Sequence, residues 1–99
     1  MYYAIMGMDR EESLEARRQA RQEHLNRLNV LMDEGRLLLA GPHPAIDSED
    51  PGAAGFTGSL IVAEFSDLEQ AKAWVSEDPY TVSGVFSSVT VKPFNKTLP

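Results

Sequence analysis

Six segments of regular hydrophobic patterning follow one another in the order β-α-β-β-α-β, and that order leaves a chain of 99 residues few ways to fold. The first, Tyr2 to Met8, is a short run of aromatic, branched and other apolar residues with Gly7 as its one weak member, and it reads as a strand. A polar turn, Asp9 to Glu12, leads to Ser13, placed to cap a helix whose dipole Glu15 complements. From Leu14 to Glu34 the spacing is helical, with Leu25, Leu28, Leu31 and Met32 at three- and four-residue steps. Gly35 supplies the left-handed residue that ends it. Leu37 to Ala40 is the second strand, closed by Gly41-Pro42.

A long connection then runs to Gly58, with Pro44, Pro51, Gly52 and Gly55 set among Asp47, Glu49 and Asp50. Structureless connections of about 15 residues are uncommon in compact domains and are often functional. Ser59 to Phe65 is the third strand. The second helix has two overlapping capping options, Ser66 with Glu69 or Asp67 with Gln70, and an apolar stripe of Leu68, Ala71, Trp74 and Val75. Asp78-Pro79 stops it, because the residue before a proline is pushed out of the α region. Val85 to Lys92, alternating Val89 and Val91 with Ser88 and Thr90, is the fourth strand. The expectation is an α+β domain over residues 1–99: a ferredoxin-like, four-stranded antiparallel sheet with both helices on one face.

If helices cover one face, the other should alternate polar wherever it meets water. It does not. Tyr2, Ala4, Met6 and Met8 share one side of the first strand and Tyr3 and Ile5 the other, and the third strand is apolar on both sides as well. The simplest cover is a second copy packed face to face, so a homodimer is expected; the alternative is a monomer whose long loop folds beneath the sheet.

Charge narrows the partners. Fifteen acidic against nine basic side chains give a formal net charge of -6, which disfavours nucleic acid and anionic membranes. Arg17, Arg18 and Arg21 form a partial basic cluster, but Glu11, Glu12, Glu15 and Glu23 surround it. With no cysteine there is no disulfide, thiolate nucleophile or cysteine-ligated metal. No signal peptide and no membrane-length apolar run are visible, so a cytoplasmic location and no membrane partner are expected.

Two residues far apart in the chain come to the same height. Counting back ten residues from Glu34 reaches His24, and counting forward about as many from Asp67 reaches Glu77 and Asp78. On antiparallel helices each count is about 15 Å of rise. A carboxylate on one ring nitrogen would fix the histidine tautomer and leave the other nitrogen free to move a proton. Taken singly, each has a plainer explanation: His24 as a packing residue on the inner helix face, Asp78 as part of a helix-ending turn.

Several segments together resemble the YCII-related (YciI-like) family, whose fold is a dimeric α-β barrel of ferredoxin-like subunits. They are His24-Leu25, Asp33-Glu34-Gly35-Arg36-Leu37-Leu38, Ala40-Gly41-Pro42, the stretch from Asp50-Pro51-Gly52 through Phe56-Thr57-Gly58-Ser59, Asp78-Pro79-Tyr80, and Val91-Lys92-Pro93-Phe94. The resemblance implies an active-site dyad of His24 and Asp78, with Ser59, Gly41 and Pro42 walling the same pocket. Tyr80, next to the dyad, is a further candidate for its lining. Some relatives are lyases that eliminate chloride from chlorinated hydroxyquinols, and the wider superfamily includes isomerases, monooxygenases and ligand-sensing modules.

Other features are set aside. His43, between two prolines, reads as an exposed loop residue, and with His24 it has no regular metal-ligand spacing, so no metal is expected. Asp47, Glu49 and Asp50 lack an EF-hand pattern, and the glycines at 52, 55 and 58 do not lead from a strand into a helix as a dinucleotide fingerprint requires. Trp74 and the strand aromatics read as core. Two functions stand: a cofactor-independent enzyme of lyase or isomerase type that uses His24 and Asp78 for acid–base chemistry on a small organic molecule, aromatic ones included, and a non-catalytic module that holds a small metabolite in the same pocket.

Overall fold

The computed structural model describes all 99 residues, in the order β1 (Tyr2–Asp9), α1 (Leu14–Asp33), β2 (Leu37–Pro44), a 3₁₀ turn (Gly52–Ala54), β3 (Phe56–Glu64), α2 (Leu68–Ser76), α3 (Pro79–Val82) and β4 (Phe86–Phe94). The four strands form one antiparallel sheet of order β2-β3-β1-β4, the ferredoxin-like arrangement and the fold of the dimeric α-β barrel proteins. β1 lies inside, with Ile5 opposite Ile61 on one side and Val91 on the other.

Helix ends follow the local chemistry. At the end of α1, Gly35 takes φ +71°, and the N–H groups of Gly35 and Arg36 reach back to the carbonyls of Met32 and Leu31, each at 2.9 Å. That pair of bonds is a Schellman stop, which satisfies carbonyls the helix itself leaves open. At the start of α1, Ser13 occupies the cap position but makes no side-chain cap; its hydroxyl donates instead to Asp9 at 3.2 Å. For α2 the Asp67 option is the one used, its carboxylate accepting from the Gln70 N–H at 2.8 Å.

Two boundaries differ from the sequence reading for one reason. β2 continues through Gly41-Pro42 to Pro44, and β4 runs through Pro93 to Phe94. Both are edge strands, where a proline's missing N–H can face away from the sheet and break no ladder bond. With β2 longer and β3 starting at Phe56, the connection shrinks to residues 45–55. It folds toward the helices: Asp50, Pro51 and Gly52 line a cavity there and Gly55 lies against Leu14 of α1. The long loop therefore does not cover the opposite sheet face. Asp78-Pro79 also does more than end α2, which stops at Ser76; it opens α3, with Pro79 at the first helical position.

The core lies between the sheet and the helices. Tyr3, Ile5, Ile61 and Ala63 from the sheet meet Leu28 and Leu31 of α1 and Ala71 and Val75 of α2. Ile5 and Leu31 are almost wholly buried, each worth about 1.5–3 kcal/mol by removal from water. A smaller cluster of Ala20, Tyr80, Val85 and Phe86 packs under α3. It explains Gly7, the weak residue of β1: a Cβ there would come within 2.6 Å of the Phe86 ring, so only glycine lets that ring lie across the strand. Trp74 is half-buried at the margin of the main core, under the Arg27 guanidinium, and is not a central core residue.

Candidate functional site

All five polar or charged residues that are buried, Ser13, Arg17, His24, Ser59 and Asp78, belong to one constellation between α1, β3 and α3. Burying such groups is unfavourable unless each finds partners, and here each does. Arg17 and His24 are seven residues apart, two turns of α1, and so share the face turned to the sheet.

Asp78 is the anchor of one half. It is fully buried, in extended backbone conformation at the cap of α3, where its Oδ2 accepts from the Tyr80 N–H at 3.0 Å. The same oxygen lies 2.7 Å from His24 Nδ1, and Oδ1 accepts from Arg27 Nη1 at 3.1 Å. Because the carboxylate accepts only, Nδ1 carries the proton and donates. The one sealed polar side-chain atom without a partner is Thr81 Oγ1. His24 Nε2, which makes no hydrogen bond within the chain, therefore stays open to the cavity that the ring lines. The Tyr80 ring stacks on the imidazole, centroids 3.9 Å apart and 11° from parallel.

Arg17 anchors the other half. Its Nε and Nη2 grip the Asp9 carboxylate at 2.6 and 3.1 Å, a bidentate, charge-assisted pair. Nη2 also donates to Ser59 Oγ at 2.7 Å and the Gly58 carbonyl at 3.0 Å, tying α1 to β3. The guanidinium carbon lies 4.8 Å from the centre of the Tyr80 ring and 5.2 Å from that of Phe56, both within cation–π range. Burial raises the Tyr80 pKa above the usual tyrosine value; the charges of Arg17 and Arg21 oppose the shift and that of Asp78 adds to it. The phenol is thus neutral at ordinary pH and able to donate.

Between the halves lies a cavity of about 470 Å³, lined by α1, β2, β3, the 3₁₀ turn and Tyr80. That volume suits a small organic molecule. The family whose description is "YCII-related domain" matches this chain over residues 1–95. The chain belongs to the YCII-related family. It is 58% identical to Protein YciI of Escherichia coli O6:H1 over 96 residues, which is 97% of this chain and 98% of that one. It is 52% identical to an uncharacterized protein of Haemophilus influenzae over the same shares. Among solved structures it is similar to the 5-chloro-2-hydroxyhydroquinone dehydrochlorinase TftG from Burkholderia phenoliruptrix AC1100, in complex with 2,5-dihydroxybenzoquinone. That similarity has a TM-score of 0.84 and 25% identity over 96% of this chain and 94% of that chain.

The structure brings His24, Ser59, Gly41, Pro42 and Tyr80 onto the wall of this one cavity, with Asp78 directly behind His24. His43 is exposed, on β2 and not in a loop, and does not line the cavity; no group of three or more potential metal-ligating side chains is assembled anywhere. Sequence reasoning missed four participants: Asp9, Arg17, Arg27 and Phe56. A signal existed for Arg17, since a charge seven residues before an inward-facing histidine falls on the same helix face. Asp50, set aside above for want of an EF-hand pattern, lines the cavity too.

Proposed function

We propose that this YCII-related chain is a cofactor-independent acid–base enzyme of lyase or isomerase type, acting on a small aromatic molecule, with His24 moving the proton and Asp78 orienting it. The observation that carries this reading is the 2.7 Å contact between His24 Nδ1 and a fully buried carboxylate, with Nε2 left open to a cavity. In an elimination, Nε2 takes a proton from a substrate hydroxyl or acidic carbon, and the freed electron pair expels a leaving group with its own pair. In an isomerisation the same proton returns at another carbon. Either way an imidazolium forms, and Asp78 stabilises it. Tyr80 and Ser59, with Gly41 and Pro42 on the strand next to Ser59, shape the binding surface. The likeness to a dehydrochlorinase bound to a dihydroxybenzoquinone supports the substrate class and the elimination.

A second reading draws on Asp78 itself. Its carboxylate also caps α3 and pairs with Arg27, so the fold would call for it without any chemistry. On that reading the cavity only holds a metabolite. Screening halogenated hydroxyquinols, phenols and lactones for turnover, alongside thermal-shift binding, separates the two. Turnover lost in His24→Ala while binding persists supports the enzyme; binding without turnover of any compound supports the module.

We also propose that the protein works as a homodimer through the open sheet face. Ala4, Met6 and Leu60 are partly exposed there, beside the buried Val62 and flanked by exposed Met8 and Leu39. The 45–55 loop, folded toward the helices, does not cover them. Sedimentation at micromolar concentration is expected to show twice the chain mass, and a clean monomer would refute the packing argument.

A further inference from the structure

The cavity carries more positive charge than its chemistry so far requires. Three arginines of α1, Arg17, Arg18 and Arg21, line it against a single carboxylate, Asp50, in a chain whose net charge is -6. Arg17 is already neutralised by Asp9. The other two are not comparably held. Arg18 is exposed and lies 3.8 Å from an equally exposed Glu15, a pairing of little energetic consequence. Arg21 is exposed and makes no ion pair or hydrogen bond within the chain. An unpaired guanidinium at the mouth of a largely apolar cavity is a ready receptor for a carboxylate or an ionised phenol. Behind it lie the half-buried Phe56 ring and the buried stack of Tyr80 on His24.

We infer that the cavity selects planar organic anions, with Arg18 and Arg21 receiving the anionic oxygens at its mouth and the Phe56 ring walling the flat body beside the Tyr80–His24 stack. This rests on the reading of the cavity as a small-molecule site and adds the charge and shape of what enters. The arrangement also places the anion on the α1 turns that precede His24, so the charged end of the ligand lies to one side of the proton-transferring nitrogen and its ring can lie near it.

The test uses matched probes, 4-hydroxybenzoate and its neutral isostere 4-hydroxybenzamide, titrated into the whole protein by calorimetry or ligand-observed NMR. The carboxylate is expected to bind about tenfold tighter at low salt, the gain of one charge-assisted hydrogen-bonding interaction. Raising the ionic strength should shrink that preference, because both guanidiniums face solvent. In the Arg18→Gln/Arg21→Gln double variant the carboxylate should fall to near parity with the amide, whose own affinity stays unchanged. Equal binding of the two probes to the unmodified protein would overturn the inference, as would a preference that survives in the double variant, or no binding of the carboxylate at millimolar concentration. The outcome is separable from the acid–base reading. An anion preference with no turnover of any compound sinks the enzyme and leaves this inference standing, whereas turnover of neutral phenols without an anion preference does the reverse.

Discussion

Two buried carboxylates flank the cavity, and α1 supplies a basic partner to each. Asp9, at the end of β1, meets Arg17; Asp78, at the cap of α3, meets His24 two helical turns later. The contacts are about equally short, 2.6 and 2.7 Å, and both carboxylates are almost completely shielded from water. The chemistry differs. A guanidinium keeps its charge at any pH a protein survives, so Asp9–Arg17 is a fixed pair that binds α1 to the sheet. An imidazole can instead carry a proton, the role the proposed function gives His24. On that proposal one half of the site is scaffold and the other reactive, and the side chain on α1 decides which.

Substitutions in the two halves should therefore fail differently. The largest effect is expected from His24→Ala: about 10²- to 10⁴-fold loss of whatever turnover the protein shows, with the fold retained. Activity and equilibrium denaturation measured on the same sample check it, and a stability loss with undiminished activity in the folded fraction would move His24 into the scaffold. Next comes Arg17→Met, which leaves Asp9 charged and unpaired in the interior and should destabilise by roughly 3–5 kcal/mol. Adding Asp9→Leu should restore much of that, because removing both charges also removes the desolvation penalty; no recovery in urea denaturation would mean the pair is worth more than its burial costs.

Replacing either aspartate by asparagine sharpens the contrast. Asparagine caps helices about as well as aspartate, so Asp78→Asn should keep α3 in place. Its amide nitrogen cannot accept from Arg27, but that guanidinium is partly exposed, so the larger effect should be on activity, since an amide stabilises an imidazolium poorly. Asp9→Asn caps nothing and leaves a guanidinium half-satisfied, so it should act mainly on stability, by about 1–3 kcal/mol. Loss of activity from Asp9→Asn without loss of stability would erase the distinction between the halves.

The His24–Asp78 half was legible in the sequence because its placement depends on regular geometry. Residue counts along two antiparallel helices put His24 and Asp78 at one height, and the resemblance pointed to the same pair. The scaffold half was hidden by irregular geometry. Asp9 reads as the first residue of a polar turn, but β1 extends through it, with a register shift between Met8 and Asp9 against β4. That shift falls where the strand hands its last carboxylate to α1, and no periodic pattern marks it. Ser13 misled in the same place, since a serine before a helix reads as a cap while its hydroxyl is bound to Asp9. Gly41-Pro42 read as a strand end because edge and interior strands look alike until the sheet order is known. Arg27 stayed unremarked because a partly exposed arginine on a charged helix looks like a solvated side chain until Asp78 is placed beside it.

The smallest effect joins the two halves through Tyr80, which stacks on His24 and lies under Arg17. Its pKa is raised above the ordinary value, chiefly by burial, so the folded state holds the phenolic proton more tightly than the unfolded chain does. The stabilisation is fully present below the unfolded value of about 10, and it is lost as pH rises past that value and through the folded one. In Tyr80→Phe there is no proton to lose, so its stability should fall less steeply between about pH 9 and 11, with Tyr2 and Tyr3 contributing alike to both proteins. Urea denaturation of the two proteins across that range measures the difference directly. An absorbance titration adds a second readout, in which a late-ionising phenol disappears in the variant. If the two stability profiles ran parallel, the phenol would ionise as freely in the folded protein as in the unfolded chain. Tyr80 could then no longer be counted as a neutral wall shared by the fixed pair and the reactive one.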